Sequence, residues 1–173
     1  PTGRGLGQRM TPCLVPADSP LGQLEGGTNM VVLEGDSGGQ IVLRGAGAGQ
    51  GPTASAVMAD VIDIARGIRI PTFGRPAASL ARPVAATVAT PAAWYLRLVL
   101  RDRPGALARV ATALGEAGVS IARMRQYGHE GPDAPVLIVT HKAAPGDIAE
   151  AMGRFGTTGV VVGAPVALRI EEV

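Results

Sequence analysis

The succession of strand-like and helix-like patterns over residues 94–170 constrains the fold of this chain more than any other feature. Residues 95–101 alternate along the chain, with Leu96, Leu98 and Leu100 on one face, which indicates a half-buried strand. The segments that follow repeat apolar residues at helical spacing or form short apolar runs typical of buried strands. In order, we predict a strand over 95–101, a helix from 107, strands over 119–127 and 136–140, a helix from 145, and a strand over 160–170.

This order, β-α-β-β-α-β, is that of a ferredoxin-like α+β unit. With two helices on one face of the sheet, the other face and the sheet edges stay available for contact with another molecule. The order therefore points to a homo-oligomer.

A proline-rich stretch separates this unit from the first part of the chain. Residues 71–93 hold prolines, alanines and polar residues without periodicity, which is typical of a linker. We therefore predict three parts: residues 1–70, a linker over 71–93, and a second domain over 94–173.

The first part contains a predicted hairpin followed by a helix. Strands over 29–34 and 40–43 flank a segment rich in Gly, Asp and Ser, which favours a turn. A helix over 52–68 follows, and its apolar stripe predicts a broad buried face. The residues of that stripe include Val57, Val61, Ile64 and Ile68.

Between the hairpin and this helix lies the glycine turn, residues 45–51. Its glycines allow backbone amides to approach a ligand closely because no Cβ intervenes. The helix N-terminus adds free N–H donors and the positive end of a dipole, which suits an anion or a dinucleotide. The spacing is neither that of the Rossmann fingerprint nor that of a P-loop. A plain strand-to-helix turn without a ligand is therefore the alternative.

The composition argues against several classes of function. The chain has 173 residues, 46% of them hydrophobic and 17% charged, so it is expected to fold. The net charge of +2 is scattered, which gives no support to nucleic-acid binding, and no apolar run is long enough to span a membrane. Cys13, the only cysteine, is expected to be a buried structural thiol rather than a nucleophile. His129 and His141 lack metal-ligand spacing, so no metal site is expected.

The wording of the first part resembles that of one enzyme family. Gly45-Ala-Gly-Ala-Gly-x-x-Pro-Thr-Ala-Ser-Ala-Val resembles the end of the catalytic region of homoserine dehydrogenase. The preceding Thr11-Pro-Cys-Leu-Val-Pro and Thr28-Asn-Met-Val-Val-Leu-Glu-Gly-Asp36 agree with it, and Asp102-Arg-Pro-Gly-Ala-Leu is similar to the turn of ACT regulatory domains. The resemblance implies the carboxyl-terminal part of a catalytic domain followed by an ACT domain.

The resemblance also implies a reaction and a cofactor. Homoserine dehydrogenases interconvert aspartate 4-semialdehyde and homoserine with NADP or NAD, in the cytoplasm and usually as oligomers. By position, Gly49 matches the family's cofactor contact, with Gly47 and Thr53 beside it. The dinucleotide-binding domain and the catalytic lysine are not in this chain, so no catalytic residue is assigned to it. A chain that opens on Pro1 and has no signal peptide is expected to be the carboxyl-terminal portion of a longer protein.

The ACT-like turn predicts an amino-acid effector, with threonine as the candidate. Asp102 would meet the ammonium group, and Gly105 would permit a close approach of the backbone at the start of a helix. Ala106 and Leu107 complete the predicted effector-binding residues. Asp102 as a helix cap without a ligand is the alternative at this turn. A stand-alone amino-acid sensor or a dimerisation module is the alternative for the whole chain.

Overall fold

The computed structural model describes residues 5–86, 89–128 and 131–172 and divides into two compact units. The smaller unit is Pro16–Val84, and the larger unit comprises the described residues of Pro1–Val15 and Ala85–Glu172. In chain order, the elements are β1 (Cys13–Leu14), β2 (Thr28–Gly35), β3 (Gly39–Ala46), α1 (Gln50–Ala65), a 3₁₀ turn (Ala77–Ser79), β4 (Ala93–Arg101), α2 (Ala106–Glu116), β5 (Ile121–Gln126), β6 (Asp133–Thr140), α3 (Pro145–Phe155) and β7 (Val166–Ile170).

The larger unit contains the predicted β-α-β-β-α-β order as β4-α2-β5-β6-α3-β7. Its strands lie in the order β1-β7-β4-β6-β5, and β4, β5, β6 and β7 pair in antiparallel fashion. The α+β fold class and the ferredoxin-like unit are therefore confirmed.

The core of the larger unit lies between the sheet and the two helices. Leu96, Leu98 and Leu100 are buried as the alternation predicts, while Arg97 and Arg101 on the opposite face are exposed. The core is aliphatic, with one aromatic side chain among its fully buried members. The largest of these side chains are Phe155, Leu96, Leu98, Leu114, Ile138, Val110, Val136 and Val160.

Strand β1 extends the sheet beyond the predicted four strands. Cys13 pairs with Arg169 and Leu14 with Ile170 in a parallel ladder, so β1 covers the outer edge of β7. The expectation that the sheet edges stay available is therefore wrong for this edge. Two residues between prolines carry no alternation, which is why the sequence did not indicate a strand here. Cys13 is also exposed, not buried as expected, because its strand lies at the rim of the sheet.

The smaller unit contains the predicted hairpin and helix. β2 and β3 pair from Thr28–Ala46 to Gly35–Gly39, so both strands are longer than the apolar runs that predicted them. α1 follows, but none of its residues is buried, which differs from the expected broad buried face. The hairpin has the same character, with Val31, Leu33, Ile41 and Leu43 about half exposed.

Candidate cofactor and effector sites

The glycine turn joins β3 to α1 through a backbone that only glycine adopts readily. Gly49 is the N-cap of α1, with φ of 124° and ψ of 150°. Its carbonyl accepts a hydrogen bond from the Thr53 N–H at 3.1 Å, which closes the first helical turn. A Cβ at this φ would be strained whatever space surrounds it, so the local geometry requires glycine.

The N-terminus of α1 has donors that are free to meet a ligand. The first N–H groups of a helix have no intrahelical partner, and here no side chain caps them and no acidic residue lies in the first turn. An open hollow of about 640 Å³ adjoins this end. Its lining residues are Gly49, Gln50, Thr53, Ala54, Val57 and Met58.

The structure brings together two of the three residues predicted to contact the cofactor. Gly49 and Thr53 both line the hollow. Gly47 lies two residues before Gly49 in the turn and does not line it. Gly47 instead lies against the side chain of Asn29, a contact that the sequence did not indicate. Only the strand register makes Asn29 a neighbour of the turn, since Asn29 pairs with Gly45 across the hairpin.

The predicted effector turn, residues 102–107, joins β4 to α2. Gly105 is the N-cap of α2 with φ of 80°, and no side chain caps this helix. The alternative in which Asp102 serves as the helix cap is therefore wrong. Asp102 and Gly105 are exposed, whereas Ala106 is buried and Leu107 packs against the core. The Ala106 N–H donates to the Arg103 carbonyl at 3.1 Å, so this amide is already engaged.

Hydrogen bonds to backbone carbonyls hold the effector turn and the start of α2 against neighbouring loops. The Asp102 N–H donates to the Pro132 carbonyl at 2.7 Å. The guanidinium groups of Arg103 and Arg109 donate to the carbonyls of Gly159 and Thr158, both at 3.1 Å. Within the described ranges, the Asp102 carboxylate forms no ion pair, so its charge is available to a cation.

An ion-pair network lies at the covered edge of the sheet. Glu171 accepts hydrogen bonds from Arg9 and from Arg169, and Arg169 also donates to the Thr90 carbonyl at 2.9 Å. Burial tends to raise the pKa of Glu171, but the two arginines outweigh it and hold that pKa below its ordinary value of 4.5.

Within the described part of the chain, no three His, Cys, Asp or Glu side chains come close enough together to hold a metal ion. His129 lies outside the described residues. No helix among residues 5–86, 89–128 and 131–172 is long and apolar enough to cross a membrane.

Two family models match the chain, each over a different segment. The homoserine dehydrogenase model matches residues 3–62, and the ACT domain model matches residues 94–156. The first match contains the glycine turn, and the second contains the effector turn.

Curated relatives and a solved structure match nearly the whole chain. The homoserine dehydrogenase of Pseudomonas aeruginosa is 35% identical over 180 residues, covering 99% of this chain and 42% of that protein. That of Neisseria gonorrhoeae is 33% identical, covering 99% and 41%. The crystal structure of a homoserine dehydrogenase from Thiobacillus denitrificans has a TM-score of 0.83 at 30% identity, covering 99% and 40%. The chain thus spans about two fifths of the length of these relatives. The family models and these relatives agree: over nearly its whole length the chain is similar to about two fifths of a homoserine dehydrogenase, with the segment that matches the ACT domain included.

Proposed function

We propose that this chain is the carboxyl-terminal part of a cytoplasmic homoserine dehydrogenase that interconverts L-aspartate 4-semialdehyde and L-homoserine with NADP or NAD. One observation carries the proposal at the site. No side chain caps the N-terminus of α1, whose N-cap Gly49 has a φ of 124°. This end of the helix adjoins a hollow lined by Gly49 and Thr53. Backbone amides at such a position suit the phosphates or the carboxamide of a dinucleotide. The nicotinamide supplies the hydride chemistry, and this chain's residues position the cofactor.

The exposed apolar face of α1 supports the same proposal. Val57, Met58, Val61 and Ile64 are each about half exposed or more, which is unusual for an amphipathic helix of a folded enzyme. The chain spans only 42% of the Pseudomonas relative, so a dehydrogenase of this family has further residues that could cover this face. We propose that the rest of the catalytic domain packs there.

Turnover measurements on the purified chain test this function. We expect no NAD(P)H-linked oxidation of homoserine by the 173-residue chain alone, because the dinucleotide-binding and proton-transfer parts lie elsewhere. Joined to the amino-terminal part of a homoserine dehydrogenase, the same chain should support turnover. A rate above background from the isolated chain would contradict the proposal that this chain only helps to position the cofactor.

The effector turn is proposed to bind an amino acid, with threonine as the candidate. An amino acid presents a carboxylate and an ammonium group a short distance apart. The start of α2, which no side chain caps, favours the carboxylate through the positive end of the helix dipole, and the exposed Asp102 carboxylate favours the ammonium. Binding there would give feedback from an end product on the dehydrogenase.

Calorimetric titration of the chain with threonine tests the effector site. We expect saturable heat for the unmodified chain and an affinity about tenfold or more lower for Asp102→Asn, because a charge-assisted hydrogen bond is lost. Asp60→Asn is the matched control, since Asp60 is an exposed carboxylate on α1. Absence of heat from a folded chain, or an equal loss in both variants, would exclude threonine binding at Asp102.

A stand-alone ACT module is the second candidate function. The larger unit holds the whole core cluster, and the outer edge of β5 has no neighbouring strand in the described sheet. A module that only joins copies of the chain would self-associate through such an edge without responding to amino acids. Sedimentation with and without threonine separates this candidate from the feedback site.

A further inference from the structure

A side chain would meet a different physical obstacle at each of two glycines of the glycine turn. Gly49 has a φ of 124°, so its backbone strains any other residue. Gly47 is not among the described glycines with positive φ, so its backbone would accept an alanine. A side chain at Gly47 would instead have to displace a neighbouring side chain. A Cβ built there would lie 1.8 Å from Nδ2 and 2.3 Å from Cγ of Asn29.

The hairpin register explains how Asn29 reaches Gly47. Asn29 lies directly opposite Gly45 in the ladder, and Gly47 follows two residues later, just beyond the end of β3 at Ala46. Since neither glycine has a side chain, the carboxamide of Asn29 can lie against the backbone of the turn. The contact is specific to one position, because a Cβ at Gly45 would meet nothing within 4 Å.

We propose that Asn29 is a positioning residue of the cofactor site, which acts by fixing where the glycine turn lies. Its carboxamide occupies the space above Gly47, two residues before the N-cap Gly49. A shift of the turn at Gly47 moves Gly49 and the first amides of α1 with it. The inference rests on the proposed function, since it assigns Asn29 a role only if the turn meets the dinucleotide.

The test is a double-mutant cycle on the complete dehydrogenase that contains this chain, read as the Kd of the dinucleotide. Asn29→Ala removes the carboxamide, and Gly47→Ala displaces it, so each should raise the Kd about three- to tenfold. The Kd of the double variant should not exceed that of the single variant with the higher Kd, because both changes remove the same contact. The KM for homoserine should stay the same. Gly38→Ala is the matched control and should leave the Kd unchanged, since Gly38 lies outside the glycine turn and a Cβ there would meet nothing within 4 Å.

Four results would separate the possible failures. Partial unfolding lowers the number of binding sites in a titration and leaves the Kd of the folded fraction unchanged, so it does not imitate the expected result. Multiplying effects of Asn29→Ala and Gly47→Ala would overturn the inference, as would an unchanged Kd in Asn29→Ala or an equal rise in the KM for homoserine. Gly49→Ala tests the proposed function separately. If it leaves the Kd unchanged, the glycine turn is not a cofactor contact, and the role of Asn29 falls with it.

Discussion

At the residue scale, Arg169 is a buried charge in a network that joins three separate segments of the chain. Arg169 is 5% exposed, and its guanidinium donates hydrogen bonds to the Glu171 carboxylate and to the Thr90 carbonyl. Glu171 in turn binds Arg9, far back in the chain. A buried guanidinium that loses its carboxylate keeps its desolvation cost. Breaking this network should therefore lower the free energy of unfolding more than breaking an exposed ion pair with the same N–O distance.

Glu171→Gln should lower the free energy of unfolding of the larger unit by about 1–3 kcal/mol at neutral pH, because two arginines, one of them buried, then face an uncharged amide in place of a carboxylate. Because the folded-state pKa of Glu171 lies below 4.5, its contribution is complete above pH 4.5 and is lost as the pH falls through the lowered folded pKa. The deficit of the variant should therefore vanish in acid. Urea unfolding followed by the fluorescence of Trp94, the only tryptophan, measures this.

Glu172→Gln provides the control for that measurement. Glu172 pairs with Lys142 at 3.2 Å, but both side chains are about two-thirds exposed. The variant should change stability by less than about 0.5 kcal/mol. Equal effects of the two neighbouring substitutions would contradict the role given to the buried guanidinium.

At the element scale, β1 protects the edge of a sheet that would otherwise be open. Unpaired edge strands invite pairing with other chains. The Glu171 N–H donates to the Leu14 carbonyl at 2.9 Å, and the Ala86 N–H donates to the Leu6 carbonyl at 2.9 Å. The segments before and after the smaller unit thus both lie along the larger unit. A domain border drawn at residue 94 separates β7 from β1 and Arg169 from Thr90.

A fragment over 94–172 should therefore be less stable than the larger unit of the whole chain and should aggregate, because the outer edge of β7 is uncovered. A peptide covering residues 5–15 should restore solubility and the Trp94 unfolding midpoint. A peptide of the same length with Cys13 and Leu14 replaced by proline should not, because proline cannot donate to the ladder. Light scattering and fluorescence measure both effects. A monodisperse 94–172 fragment as stable as the larger unit would contradict the protective role of β1.

At the scale of the whole molecule, the sequence predicts the strands and helices in which apolar residues recur at a regular spacing. The strands and helices of the larger unit were predictable because each places its apolar residues on one face. The ends of α1 shift, to Gln50 and Ala65, because Gly49 and Gly67 with positive φ limit the helix. The family resemblance singled out Gly49 and Thr53, which both line the hollow, and their contact with the cofactor stays a prediction.

Features that depend on a distant partner were not predictable in the same way. β1 has no pattern of its own and exists only because the edge of β7 accepts it. Asn29 approaches Gly47 only through the hairpin register. The exposure of α1 was also missed, since an apolar stripe predicts that a face is covered and not which residues cover it.

The pairing of β1 with β7 also fixes an order of events during synthesis. Arg9 and Glu171 are 162 residues apart in the chain, so the contact between them is among the least local that a chain of this length can make. The hairpin and α1 bring together near neighbours and can form while the chain is still growing, whereas β7 is made later than any other described element. Cys13–Leu14 can therefore pair with its neighbouring strand only after every other described element of the larger unit has been synthesised.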